Sequence, residues 1–81
     1  MRIVVIGAGH LGYIISELLS NEGYDVIVVD SDAEKLESVR TSLDVLTIHA
    51  DGTSPSFMRS SDVKGSVLVV ADTAMDDVNI I

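Results

Sequence analysis

Apolar and polar positions follow two different periods along this chain. Ile3-Val4-Val5-Ile6 and Val26-Ile27-Val28-Val29 are unbroken runs rich in β-branched residues, the pattern of strands buried on both faces. Between them Leu11, Ile14, Ile15, Leu18 and Leu19 recur at i, i+3, i+4, i+7 and i+8, which places them on one face of a helix. The pattern predicts a strand over 2–6, a helix over 10–22 that stops at Gly23, and a strand over 24–29.

The same periods continue downstream. Ser31 and Glu34 have capping-box spacing, so a second helix is expected from Ser31 or Asp32, with Ala33, Leu36, Val39 and Leu43 as its buried stripe. Glu34, Lys35, Glu37 and Arg40 then face water. A third strand is expected over 44–49 through Val45, Leu46 and Ile48, ending in the turn Asp51-Gly52-Thr53. Ser54-Pro55 reads as an N-cap and first-turn proline of a short helix with Phe57 and Met58 inward. A loop ending at Lys64-Gly65 leads to a fourth strand over 66–71. Thr73 and Asp76 again have capping-box spacing and predict a fourth helix carrying Met75 and Val78.

Alternating strands and helices imply an α/β fold with a parallel sheet, and right-handed crossovers give the strand order 3-2-1-4. A complete doubly wound fold has two further strands. Residues 1–81 are therefore expected to form one domain, the first part of such a fold, incomplete at its carboxyl end.

The candidate chemistry sits where the first strand meets the first helix, at Gly7-Ala8-Gly9-His10-Leu11-Gly12. Gly7 permits a sharp turn, Gly9 allows the backbone to approach a pyrophosphate, and Gly12 lets the helix lie close to the sheet. The helix start offers unpaired N–H groups and the positive end of its dipole, so the expected ligand is a diphosphate. Asp30 lies 18 residues beyond Gly12 at the end of the second strand, placed to accept hydrogen bonds from a ribose diol. Its carboxylate would repel the 2′-phosphate of NADP, which favours NAD(H) or an adenine mononucleotide. Four segments end at the same edge of the sheet: 7–12, Asp30-Ser31-Asp32, Asp51-Gly52-Thr53 and Ala71-Asp72-Thr73. Each has a plainer reading: Asp30, Asp32 and Thr73 as helix caps, Asp51 as a turn aspartate, His10 as a solvent-exposed residue and His49 as an ordinary strand end.

Charge and composition narrow the choice of partner. Five basic against thirteen acidic residues give a formal charge of −8, which repels nucleic acid and anionic membrane surfaces. No apolar run approaches the roughly 18 residues needed to span a membrane, so direct insertion is not expected. The absence of cysteine rules out disulfides, thiolate metal sites and cysteine nucleophiles. Met1-Arg2 runs straight into the first strand, which points to the cytoplasm rather than a secretory route. At 81 residues the domain buries only roughly 60 to 65% of its unfolded surface, so its stability margin is thin. No Tyr-x-x-x-Lys pair and no general base is identifiable, so a non-enzymatic role is expected. The alternative is the cofactor-binding half of an NAD-dependent dehydrogenase.

In combination, the glycine loop, Val29-Asp30-Ser31-Asp32, Ala50-Asp51-Gly52-Thr53 and Val69-Val70-Ala71-Asp72-Thr73 with Asp76, Asp77 and Asn79 resemble the TrkA N-terminal domains, also called RCK or KTN domains, of Trk-type potassium uptake regulators. The resemblance covers essentially the whole chain and the first part of that domain. It implies a Rossmann-type cytoplasmic regulatory module that binds NAD(H), with ATP or ADP as the alternative, and sits on a membrane-embedded potassium transporter or channel as part of a homo-oligomer. By that analogy Gly7, Gly9 and Gly12 cradle phosphates and Asp30 holds the adenosine ribose with Asp32 nearby. Asp51 and Thr53 approach the adenine, and Ala71, Asp72 and Thr73 line the rest of the cleft. Members that favour ATP often carry arginine where this chain has His10.

Overall fold

A computed structural model describes residues 1–52, 54–60, 63–72 and 77–80. The first strand, β1 (Arg2–Ile6), leads through the glycine loop into α1 (His10–Asn21), followed by β2 (Asp25–Asp30), α2 (Ala33–Ser42) and β3 (Leu46–His49). A short helix α3 (Pro55–Met58) then leads to β4 (Val67–Asp72) and β5 (Asp77–Ile80). The sheet order is β3-β2-β1-β4-β5, and the first four strands are parallel, in the expected 3-2-1-4 arrangement.

Strand alternation divides the core in two. Ile3, Val5, Val26, Val28, Val69 and Ala71 face one side of the sheet, where α1 and α2 pack with Leu36 and Val39 buried. Val4, Ile27, Val29 and Leu68 face the other side, closed by Phe57 from α3 and Val63 from the loop that follows. This split follows from the direction of travel. Passing from β1 to β2 to β3 moves one way across the sheet, so right-handed crossovers put α1 and α2 on one face; returning from β3 past β1 to β4 puts α3 on the other.

Several local expectations are corrected. On α1 the buried residues are Gly12 and Ser16, while Ile14 is 39% and Leu18 60% exposed. The helix turns its smallest residues to the sheet because only they allow close approach, and Leu11, Ile15 and Leu19 flank that contact. On α2 the N-cap is Asp32, whose Oδ1 accepts the N–H groups of Glu34 at 2.9 Å and Lys35 at 3.4 Å. Ala33 is exposed, while Leu36 and Val39 are buried and Leu43, the C-cap residue, is half-buried against the same core. Arg40 pairs with Glu37 on the solvent side at 2.6 Å, and its hydrogen bond holds the Glu37 carboxyl below its usual range. Met58 is 37% exposed rather than inward.

The expected fourth helix does not extend over its later residues. Its predicted start at Thr73, with Met75 and Asp76, lies outside the described residues, but Val78 belongs to β5, which pairs antiparallel with β4. Val78 and Ile80 alternate with polar residues, a strand pattern, and β4 offers an open edge. Only four residues separate the two strands, too few for the crossover a parallel return needs.

Ser16 is fully buried, and its hydroxyl has no hydrogen-bond partner among the described residues. Replacing it removes an unsatisfied polar group at the cost of one small atom. Ser16→Ala is expected to stabilise the domain by about 1 kcal/mol, seen as a higher urea midpoint at unchanged slope; a lower midpoint would mean that the hydroxyl is satisfied in solution.

Candidate functional site

The glycine loop is shaped by contacts that leave no room for side chains. Gly7 has φ +115°, and its N–H donates to the Val29 carbonyl at 2.7 Å. A Cβ on Gly7 would collide with the Ala71 carbonyl oxygen, and one on Gly12 would collide with the Gly7 carbonyl oxygen. The first turn of α1 is thus pressed against the ends of β1 and β4. Gly9 differs from both. It is the N-cap of α1 at φ −75° and ψ −164°, an extended conformation open to any residue.

That choice of N-cap leaves the helix start open. Its N-cap, Gly9, has no side chain to cap α1, and the first turn carries no acidic residue. The first bond of the helix runs from Tyr13 N–H to Gly9 carbonyl at 2.9 Å, so the N–H groups of His10, Leu11 and Gly12 have no acceptor within the helix. The contrast with α2, capped by Asp32 and carrying Glu34 in its first turn, is direct.

Asp30 closes the other side. Its Oδ2 accepts the Ala8 N–H of the glycine loop at 2.8 Å and its Oδ1 accepts the Asp32 N–H at 2.7 Å. The carboxylate therefore ties the end of β2 to the loop after β1. A carboxylate has about four acceptor positions, so two such bonds leave capacity for hydroxyl donors. Beside it lies an open cleft of about 170 Å³ lined by Ile6, Gly7, Val29, Asp30, Ser31, Asp51 and Gly52. A larger cavity of about 370 Å³ opens at the opposite edge, among Arg2, Tyr24, Asp25, Asp44 and Leu46. It gathers the starts of the strands rather than their carboxyl ends, so volume alone is a poor guide to a nucleotide site in such a sheet.

Most of the sequence-derived candidates meet at the carboxyl edge, but in different capacities. Gly7, Asp30, Ser31, Asp51 and Gly52 line the cleft. Gly9, His10 and Gly12 form the start of α1, with His10 exposed. Ala8 contributes its N–H while its side chain is buried, Leu11 packs against the core, and Ala71 is buried beneath the loop. Asp32 serves as the α2 cap. Asp72 ends β4, whereas Thr53 and Thr73 lie outside the described residues. His49 was set apart in the sequence as a strand end, yet its Nε2 lies 2.8 Å from the Ser31 carbonyl oxygen at the rim of the cleft. No spacing in the sequence signals this contact; it depends on the register that pairs Asp30 with His49. Among the described residues no three His, Asp or Glu side chains gather to hold a metal ion, and no helix is long and apolar enough to cross a membrane.

A parallel 3-2-1-4 sheet, a glycine turn feeding an uncapped helix and an acid at the end of β2 define the Rossmann-type class of nucleotide-binding folds. Within that class the chain belongs to the TrkA-N domain family, whose pattern it matches over residues 3–81. It is 36% identical over all 81 residues to the Trk system potassium uptake protein TrkA of Halomonas elongata, of which it covers 18%. It is 38% identical to the Trk system potassium uptake protein trkA homolog 1 of Methanosarcina mazei, covering 19%, and 30% identical to the TrkA homolog of Pyrococcus horikoshii, covering 36%. The chain spans between about a fifth and about a third of the length of these relatives.

The packing at Gly12 gives a direct test of the loop. Gly12→Ala sets a methyl group against a backbone carbonyl that cannot move without shifting β1, and is expected to cost about 3 kcal/mol in a thermal or urea melt. A loss under about 0.5 kcal/mol would mean that α1 stands further from the sheet than this structure has it.

Proposed function

We propose that this domain binds NAD(H), or alternatively ATP or ADP, and uses occupancy to regulate potassium uptake through a membrane-embedded transporter or channel. The observation that carries the nucleotide reading is one pairing: an α1 N-terminus whose N-cap is a glycine and whose first turn holds no acidic residue, beside a loop held by the Asp30 carboxylate. The open N–H groups of the first turn suit a diphosphate, and extended Gly9 leaves the approach clear of a side chain. The remaining acceptor capacity of Asp30 suits the ribose hydroxyls, and its charge disfavours a 2′-phosphate. Asp51 and Gly52 supply the far wall, toward the adenine. The cleft accommodates part of a nucleotide, with the rest lying across the open ends of β1 and β4.

Regulation rather than catalysis is supported by the relatives, which are named as potassium uptake proteins. On this reading the module is cytoplasmic, peripheral to the inner face of the membrane through its partner, and part of a homo-oligomer. Nucleotide binding can shift such an assembly only by its difference in affinity between two states.

Calorimetric titration with NAD, NADH, NADP, ATP and ADP tests the ligand. NAD(H) is expected to bind at least about tenfold more tightly than NADP, and Asp30→Ala to weaken NAD(H) by about tenfold or more, as loss of hydrogen bonds to a charged acceptor requires. Tight ATP or ADP with weak NAD(H) would retain the site and change the signal to energy charge. A folded domain that takes none of the five would sink the nucleotide reading.

A further inference from the structure

His49 closes a relay that runs from the edge strand to the glycine loop. A carbonyl oxygen can only accept, so the 2.8 Å contact between His49 Nε2 and the Ser31 oxygen makes Nε2 the protonated donor. The Ser31 carbonyl and the Asp32 N–H belong to one planar peptide group and point to its opposite sides. That N–H is the donor to Asp30 Oδ1 at 2.7 Å, while Asp30 Oδ2 receives the Ala8 N–H at 2.8 Å. Fixing the carbonyl on one side of the peptide thus fixes the donor on the other, and with it the rotation of the Asp30 carboxylate. Pairing brings the two ends together: Asp30 and His49 are register partners, and the Ala50 N–H donates to the Asp30 carbonyl at 3.1 Å.

We infer that His49 is a positioning residue for the nucleotide cleft, holding the Ser31–Asp32 peptide so that the Asp30 carboxylate is presented to the ribose in the orientation that also binds the glycine loop. The ribose part of this inference rests on the nucleotide reading above; the relay itself does not. The imidazole is exposed and outside both core clusters, so its removal leaves the packing of the domain intact.

The test begins without ligand. In His49→Leu the amide resonances of Ala8 and Asp32 are expected to shift and their hydrogen exchange to quicken by about three- to tenfold, the change expected for one net hydrogen bond. His49→Gln, which retains an N–H donor at similar reach, is expected to restore both. Unchanged Ala8 and Asp32 amides in the leucine variant would overturn the relay, whatever the ligand titrations give. With ligand, ADP and 2′,3′-dideoxy-ADP separate positioning from general damage. His49→Leu is expected to weaken ADP by about three- to tenfold and leave the dideoxy compound unaffected. Equal weakening of both would overturn the ribose assignment. If the unaltered protein takes neither NADH nor ADP, the nucleotide reading falls together with the ribose part, and the amide measurement still decides whether His49 holds the loop.

Discussion

The close approach of α1 to the ends of β1 and β4 is the constraint on which the rest of the structure depends. It exists because Gly7 and Gly12 carry no Cβ where the Ala71 and Gly7 carbonyl oxygens stand. With the helix seated there, Ser16 comes to lie against the sheet one turn later, and the larger residues Ile14 and Leu18 are turned outward. The same contact sets the direction of the helix axis, and so decides where the open N–H groups of the first turn point. On the proposed nucleotide reading, packing and binding are coupled through two missing methyl groups.

Polar order at the carboxyl edge is built on that seat. Asp30 uses one oxygen to hold the glycine loop and the other to shape its own turn, and Asp32 caps α2. The two aspartates two positions apart thus do different work. Asp32 caps the start of α2, whereas Asp30 bonds the loop before α1 without capping that helix. In a domain of charge −8, an acidic first turn on α1 would repel an anionic ligand, and that turn carries none.

The places where the sequence misleads have physical causes. Hydrophobic periodicity puts Ile14 and Leu18 on the buried face of α1 because it weights apolar size, whereas a helix packed on a sheet near a tight turn is limited by closeness. Met58 follows the same logic at α3: four residues form barely one turn, and Phe57 alone reaches the second core cluster. Val78 falls in β5 although the capping-box spacing upstream predicts helix, because strand pairing at the β4 edge competes with a purely local signal.

By itself the sequence determined the alternation of elements, the parallel 3-2-1-4 order, the glycine turn and the acid at the end of β2. Those features are local in period or in spacing, and right-handed connection leaves little freedom in assembling them. Tertiary structure alone decided which face of α1 is buried and that His49 reaches the Ser31 carbonyl. Each of these turns on contacts between segments far apart in the chain, where register and the closeness of packing, rather than the character of any one residue, fix the outcome.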